Sequence, residues 1–269
     1  MEQFLIKNNP RITALHSLFT RTYPCDYKFH GESHNFYEVI IILSGKATVA
    51  ADSNIFSLES GQAFLYPPMQ FHNLISVSNE SLTIGVISFS GKHIPKVFGK
   101  VCVIENMSAV HNLFARAKKV FSFKDIWVTS AKNNDNSHLI FLKEFESFLI
   151  SLSENTLDKK EKLSIGEANY SLIVKTLQEN IENNLKVSDI AKILNMSEIG
   201  IQKTFSRYAG VGIMEYFNNI KIQKAIEFLK SGNSVKETAI KLGFKDANYF
   251  STVFKRITGN PPSVVARGN

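Results

Sequence analysis

Two runs near the carboxyl end carry side chains of the kinds that recognise the edges of DNA bases. Glutamine and asparagine pair with adenine, lysine binds guanine or phosphate, and small apolar side chains contact the thymine methyl group. Spacings of three and four residues place such side chains on one face of a helix. The residues predicted to face DNA are Ser197, Glu198, Ile199, Gln202, Lys203 and Arg207 in the first run, and Asp246, Ala247, Asn248, Ser251, Thr252 and Lys255 in the second.

The two runs belong to a repeated helix-turn-helix pattern. Ala191 and Leu194 recur 48 positions later, whereas Ser197, Ile201 and Phe205 have their counterparts 49 positions later. The second turn therefore contains one extra residue. One unit of this kind inserts a short helix into a DNA major groove, and two units in series predict two insertions.

Each turn has residues suited to its conformation. Asn195 and Gly243 tolerate the left-handed backbone of a tight turn, and Ser197 and Asp246 are good N-caps for the helix that follows. Gly200 lies inside the first recognition helix, where glycine costs about 1 kcal/mol relative to alanine. We therefore expect this helix to be softer than its counterpart.

The charge distribution favours DNA binding over the alternative of a plain helical bundle. From Thr156 onward the chain has 17 Lys and Arg against 11 Asp and Glu, whereas residues 1–155 have 14 against 13. The excess positive charge thus accompanies the paired turns, as contact with phosphates requires.

A second group of reactive side chains lies in the amino-terminal half. Its spacing is set by His34, Glu38 and Gly45, followed by Gly61, Pro67 and His72. These spacings resemble the two signature motifs of the cupin superfamily of small β-barrels. The resemblance implies a metal set of Glu32, His34, Glu38 and His72, with Glu32 in place of the usual histidine. Because that histidine is missing, we expect no metal or other cofactor, and side chains that bind a polar ligand by hydrogen bonds. The predicted effector contacts are Arg21, His34, Glu38, His72 and Trp127.

The elements around these residues predict a two-domain α+β protein. Short strands punctuated by turns predict an amino-terminal cupin-like antiparallel β-barrel, followed by helices over Asn106–Val120 and His138–Leu152. The second helix has a wide apolar stripe that either packs on its own barrel or pairs helices in a dimer, with Glu146 on its outer side. The predicted boundaries are a sensing and dimerisation domain over 1–153, a linker over 154–168, and an all-α domain with two helix-turn-helix units over 169–269.

Composition indicates a cytoplasmic protein. Charged residues make up 20% of the chain and hydrophobic residues 44%, and no apolar run approaches the 18 residues of a membrane span. The amino terminus lacks the pattern of a signal peptide. Cys25 and Cys102 lie far apart, so we expect two ordinary reduced thiols.

The stretch from Ala191 to Pro262 resembles the signature of the AraC/XylS family of bacterial transcription regulators, most closely from Ala239 onward. The residues from His34 to Val39, with Gly45, resemble the sensing domain of the same family. The resemblance implies a regulator, typically an activator, in which the barrel binds a small effector such as a sugar. It also implies a homodimer, contact with RNA polymerase, and a long helix at about Ile213–Lys230 that sets both recognition helices on one face.

Two other functions fit parts of the pattern. The first is a cupin-type metal-dependent enzyme with an appended DNA-binding domain, motivated by His34, Glu38 and His72. The second is a DNA-bound protein without an effector, whose barrel serves only dimerisation. No nucleophile elbow or phosphate-binding glycine loop is visible, because Ser88-Phe-Ser-Gly91 lacks the flanking glycines, so we expect a protein that is not an enzyme.

Overall fold

The computed structural model describes residues 9–77, 79–132, 135–157 and 164–266. Two compact units are present, one made mainly of residues up to 161 and the other mainly of residues 162–269. The strands are β1 (Arg11–Tyr23), β2 (Lys28–Glu32), β3 (Tyr37–Ser44), β4 (Lys46–Ala51), β5 (Asn54–Glu59), β6 (Gln62–Tyr66), β7 (His72–Ser76), β8 (Leu82–Lys92), β9 (Val101–Val103), β10 (Phe121–Lys124), β11 (Trp127–Ala131) and β12 (Thr156–Leu157). The helices are α1 (Met107–Val120), α2 (Ser137–Glu154), α3 (Ile165–Glu179), α4 (Val187–Leu194), α5 (Glu198–Ala209), α6 (Ile213–Lys230), α7 (Val235–Lys241), α8 (Ala247–Thr258) and α9 (Pro262–Ala266).

The strands form two sheets. The larger has eight strands in the order β10-β11-β1-β8-β3-β6-β9-β12, and the smaller has four in the order β2-β7-β4-β5. Strand β3 lies between β6 and β8 and runs antiparallel to both, with Glu38 opposite Tyr66 on one side and Ser88 on the other. This arrangement confirms the predicted cupin-like antiparallel architecture.

Strand β3 is almost wholly apolar because both of its faces are covered. Successive side chains point to opposite faces of a strand. Val39 and Ile41 belong to the core that packs against α1 and α2, whereas Glu38 and Ile40 lie on the other face. The one charged residue of the strand is therefore buried on the face opposite the helices.

Helix α2 packs on its own sheet, which was one of the two roles predicted for its apolar stripe. Phe141, Phe145 and Leu149 are fully buried in the same core as Val39 and Ile41. The prediction that Glu146 faces outward is wrong. Glu146 is buried, and its Oε1 accepts a hydrogen bond of 2.9 Å from the backbone N–H of Ile12. The carboxylate thus satisfies a strand amide that a stripe of apolar residues would leave without an acceptor.

The sequence pattern missed strands at both ends of the sheet. Strand β1, which begins at Arg11, pairs along most of its length with β8, and the β10–β11 hairpin extends the sheet beyond it. The segment 154–168, predicted as a linker, also contains regular structure. Thr156 and Leu157 pair with β9, and α3 begins at Ile165 behind a capping box of Ser164 and Glu167. The middle of that segment, residues 158–163, lies outside the described residues.

The second unit contains helices α3–α9, and α6 packs against α5 as well as against α7 and α8. Tyr216 near the start of α6 packs edge-to-face on Phe205 of α5, with ring centroids 5.2 Å apart. Ile222, Ala225 and Leu229 further along α6 belong to the core of α7 and α8. The predicted bounds of this helix, Ile213–Lys230, agree with the structure. In the part of the chain that the structure describes, no helix combines the length and apolar character needed to cross a bilayer.

Candidate nucleic-acid interface and barrel cluster

Helices α4 and α5 form the first helix-turn-helix unit. Asn195 ends α4 in the left-handed conformation, with φ 51° and ψ 45°. Ser197 caps α5, because its Oγ accepts a hydrogen bond of 3.1 Å from the N–H of Gly200. Ile201 and Phe205 are fully buried, so the opposite face of α5 points outward. Gly200 thus lies in the first turn of α5, where its amide serves the cap, rather than in the helix interior.

Helices α7 and α8 form the second helix-turn-helix unit in the same way. Asp246 caps α8 by accepting hydrogen bonds of 3.1 Å from the amides of Asn248 and Tyr249. Phe250 and Phe254 are fully buried and correspond to Ile201 and Phe205 of the first unit. Two amides bound to one carboxylate make this cap the stronger of the two, since carboxylates also favour the positive end of the helix dipole.

A buried lysine on α6 forms hydrogen bonds with the turn of the second helix-turn-helix unit. Lys221 Nζ donates hydrogen bonds of 2.7 Å to the carbonyls of Asn183 and Leu242, and it lies 4.5 Å from the ring centroid of Phe217. Burial lowers the pKa of Lys221 from 10.5 to about 8. Leu242 is the C-cap of α7, and Asn183 lies in the segment before α4. One ammonium group therefore links the turn of the second helix-turn-helix unit to the segment that precedes the first.

Gly243 lies in the same turn and is required there by space as well as conformation. Its φ is +67°, and a Cβ atom at this position would lie 2.3 Å from the carbonyl oxygen of Glu182. The backbone at residues 182–184 therefore approaches the turn more closely than any side chain would allow.

The residues predicted to face DNA are mostly exposed. On the first helix-turn-helix unit all six are exposed, and Ile199 is 77% exposed although it is apolar. On the second helix-turn-helix unit Asp246, Asn248, Thr252 and Lys255 are exposed, while Ala247 and Ser251 are only half-exposed. Ala247 packs against the core of α7 and α8, and the Ser251 hydroxyl donates to the Ala247 carbonyl at 2.9 Å. These two have the least free surface of the set.

Sequence reasoning missed three exposed residues on the same faces. Arg256 follows Arg207 by 49 positions, which is the offset between the two helices, and both arginines are exposed. Ser206 is the exposed counterpart of Lys255, and Tyr249 is 55% exposed where the first unit has Gly200. Applying the 49-residue offset strictly to every outward position would have identified Arg256.

The first compact unit, which contains β3, brings His34, Glu38 and His72 together; we call these three residues the barrel cluster. The Nε2 atom of His72 lies 3.3 Å from Glu38 Oε1, and the Nε2 atom of His34 lies 3.6 Å from Glu38 Oε2. Glu32 ends β2 and is exposed. The side chains of His34, Glu38 and His72 are all largely buried.

Glu38 is held as a carboxylate. Burial raises the pKa of Glu38, but the two imidazoles and a hydrogen bond of 2.7 Å from the Ser88 hydroxyl outweigh it, so the pKa lies well below its ordinary value. Ser17 Oγ lies 2.7 Å from Ser88 Oγ and extends the network. Ser88 and Ser17 were missed from the sequence, since Ser88 meets Glu38 only through the pairing of β3 with β8.

Arg21 and Trp127 lie apart from this cluster. The Arg21 guanidinium is half-exposed, 3.7 Å from Asp125 Oδ1, and lies over the ring of Phe19. Trp127 begins β11 and is 49% exposed. The structure thus assembles three of the five predicted effector contacts and places the other two at the surface, where a role in effector binding stays a prediction.

Two family models match the chain. A model described as a helix-turn-helix domain matches residues 190–268, and one described as an AraC-like ligand binding domain matches residues 17–103. They fall on the paired helix-turn-helix units and on the sheets that carry His34, Glu38 and His72.

Three similar proteins extend over most of the chain. An uncharacterized HTH-type transcriptional regulator of Bacillus subtilis, YfiF, is 25% identical over 243 residues, which are 86% of this chain and 76% of that protein. The Msm operon regulatory protein of Streptococcus mutans is 24% identical and covers 89% of this chain and 87% of its own. The TCP pilus virulence regulatory protein of Vibrio cholerae is 25% identical, covering 88% and 89%. With two exposed helices on a shared scaffold, a matching ligand-binding unit and relatives of the same build, the chain belongs to the AraC/XylS family of transcriptional regulators.

Proposed function

We propose that this regulator binds promoter DNA by inserting α5 and α8 into successive major grooves. The observation that carries the proposal is the repeated geometry of the second unit. Each helix buries the same apolar face and exposes the opposite one, and α6 contributes to the core of both. Arg207, Lys255 and Arg256 add positive charge to those exposed faces for contact with phosphates.

The test is binding of the full chain to a duplex selected from random sequence. We expect the logarithm of the affinity to fall linearly with the logarithm of salt concentration, because bound phosphates release counterions. For about six to ten phosphate contacts, the affinity falls roughly 10³–10⁵-fold between 50 and 200 mM salt. An affinity that does not change with salt concentration, or that is equal for every duplex, contradicts the proposal.

We further infer that the first unit senses a small polar effector, with a sugar or oligosaccharide as the chemical class. Supporting this is the buried group of His34, Glu38 and His72, whose nitrogen and oxygen atoms suit hydroxyl groups. A thermal-shift screen of small sugars tests it, since a ligand that binds only the folded chain raises the melting temperature. A second arm of apolar carboxylic acids distinguishes the class; a shift only in that arm contradicts a polar effector.

The proposal makes the chain an activator that works as a homodimer in the cytoplasm and contacts RNA polymerase, and it assigns no enzymatic reaction. Light scattering of the full chain in the presence of the selected duplex measures the stoichiometry. Two chains per duplex support the dimer, and one chain per duplex contradicts it. Transcription in vitro from a promoter containing the selected sequence measures the direction of regulation.

A further inference from the structure

The second residue of the recognition helix differs in kind between α5 and α8. Ile199 follows the cap Ser197 by two positions in α5, and Asn248 follows the cap Asp246 by two positions in α8. Both residues are exposed. In a helix-turn-helix unit, the residues at the N-terminal end of the recognition helix contact the edges of the bases. Ile199 and Asn248 therefore occupy the same place relative to DNA with different chemistry.

Burial does not account for the isoleucine at position 199. The residue is 77% exposed, so it contributes little to the core. Isoleucine also has a lower helix propensity than alanine, because its branched β-carbon restricts rotation of the side chain in a helix. An aliphatic side chain has no hydrogen-bonding group, and the apolar group that base pairs present in the major groove is the thymine methyl. Ile199 is thus suited to contact with thymine.

Asn248 supplies hydrogen-bonding groups that its neighbours on α8 do not. Residues three and four positions apart lie on the same face of a helix, so Ser251 and Thr252 are these neighbours. Their hydroxyls donate to the carbonyls of Ala247 and Asn248 at 2.9 and 3.0 Å, which leaves them able to accept but without a proton for a base. The Asn248 amide offers a donor and an acceptor, which match N7 and the N6 amino group of adenine.

The corresponding neighbours on α5 differ from those on α8 as well. Gln202 and Lys203 occupy the positions three and four residues after Ile199, and both are exposed. Lysine can bind guanine through O6 and N7, whereas the hydroxyls of Ser251 and Thr252 carry no charge. The two recognition helices thus present different chemistry at all three matched positions.

We propose that the two halves of the DNA site have different sequences. In the half bound by α5, Ile199 contacts the methyl group of a thymine. In the half bound by α8, Asn248 binds an adenine through N6 and N7. This inference rests on the proposed insertion of both helices into DNA. Two unlike halves give the site a direction, so reversing the site relative to a promoter turns the bound chain around.

The thymine contact is tested with the full chain and the duplex selected from random sequence. Deoxyuridine replaces each thymine in turn, which removes only the methyl group. We expect one thymine at which this replacement lowers the affinity of the wild-type chain roughly 4-fold, as the burial of one carbon, about 0.8 kcal/mol, predicts. Ile199→Ala should bind the thymine duplex more weakly than wild type and should bind both duplexes equally, which completes a double-mutant cycle.

The adenine contact is tested with 7-deazaadenine, which has a C–H group in place of N7. We expect one adenine at which this replacement lowers wild-type affinity by roughly 5-fold or more, because one bond of a bidentate pair is lost. Asn248→Ala should not respond to it. Selection from random sequence with Ile199→Asn should replace the contacted thymine with adenine and leave the half bound by α8 unchanged.

Ile165→Ala is the matched control, because Ile165 is an isoleucine at the start of α3 that is 83% exposed and lies outside both helix-turn-helix units. This variant should keep the affinity and the deoxyuridine response of the wild-type chain. An Ile199→Ala chain that is as sensitive to deoxyuridine as wild type overturns the inference, and so does a selected site with identical halves. Sequence-specific, salt-dependent binding still stands in those cases, whereas equal affinity for every duplex contradicts the proposed function and this inference together.

Discussion

At the residue scale, the buried polar side chains of this protein form hydrogen bonds with residues that are far away in the sequence. Lys221 is bound by two carbonyls, one 38 and one 21 positions away, and Glu38 receives a hydrogen bond from a serine 50 positions away. Exposed residues such as Lys203 have no such constraint and are available to DNA. The buried polar residues therefore set geometry, and the exposed ones provide recognition.

Lys203 tests the recognition surface. We expect Lys203→Ala to weaken binding to the selected duplex by roughly 1–3 kcal/mol, because a base-edge contact is lost. Binding is measured by titration against both the selected and a random duplex. Lys175→Ala, an exposed lysine of α3 outside both helix-turn-helix units, is the charge-matched control and should change little. An equal loss on random DNA would identify Lys203 as a phosphate contact instead.

Lys221 gives the molecule a dependence of stability on pH. Its pKa in the folded chain is about 8, whereas the unfolded chain keeps the ordinary 10.5, so the unfolded state binds more protons between these values. The free energy of unfolding should therefore rise as pH increases from 8 toward 10.5 and stay at its lower level below 8. Denaturant unfolding of wild-type chain and Lys221→Met at several pH values measures this. A difference between the two proteins that does not vary with pH would refute it.

At the element scale, α6 and the two turns decide how the helix-turn-helix units are held. The 18 residues of α6 span about 27 Å at 1.5 Å per residue. The first half of the helix packs with α5 and the second half with α7 and α8. The turn at Gly243 fixes the end of α7 against residues 182–184.

The Gly243 turn can be tested against a glycine that shares its conformation but not its crowding. Gly232 has φ +93° and open space for 4 Å around the position a Cβ would take, whereas a Cβ at Gly243 would lie 2.3 Å from the carbonyl oxygen of Glu182. We expect Gly232→Ala to cost about 1–2 kcal/mol for the left-handed backbone alone. Gly243→Ala should cost clearly more, because the 182–184 backbone must move. Denaturant unfolding compares them, and equal losses would show that crowding is unimportant.

At the scale of the whole molecule, each unit has its own core and its own polar group of residues. The barrel cluster and the paired helices are therefore separate sites on one chain, which is the organisation expected of a protein that senses one molecule and binds another. The three relatives described above, each matching more than three quarters of this chain, are named as regulators, in keeping with that organisation.

Phasing on DNA tests whether both helices bind at once. Successive major grooves on one face of the duplex are 34–36 Å apart, or about 10 base pairs. Inserting about 5 base pairs between the two halves of the selected site rotates them to opposite faces, and inserting about 10 moves them a further 34–36 Å apart, so we expect affinity near that of a single half in both cases. Electrophoretic titration of the three duplexes measures this. Equal binding to all three would mean that only one helix contacts DNA.

The amino-acid sequence was sufficient for the features that depend on local spacing. Both helix-turn-helix units and their caps at Ser197 and Asp246 follow from repeats and helix signals that lie within a few residues of each other. The bounds of α6 followed from the family resemblance. The gathering of His34, Glu38 and His72 followed from a motif resemblance. Packing overrode local pattern where a polar residue had a distant acceptor or donor, as at Glu146, which a helix periodicity places outside and a strand amide draws inward.

Tertiary structure alone decided which atoms meet across the sheet and between helices. The contact of Ser88 with Glu38 depends on the register of β3 with β8, and the two bonds of Lys221 depend on how α6 packs against two turns. A shift of one residue in the strand register would turn Ser88 to the opposite face. Long-range register and packing are properties of the whole folded chain, because they minimise exposed apolar area and unsatisfied polar groups over all elements together.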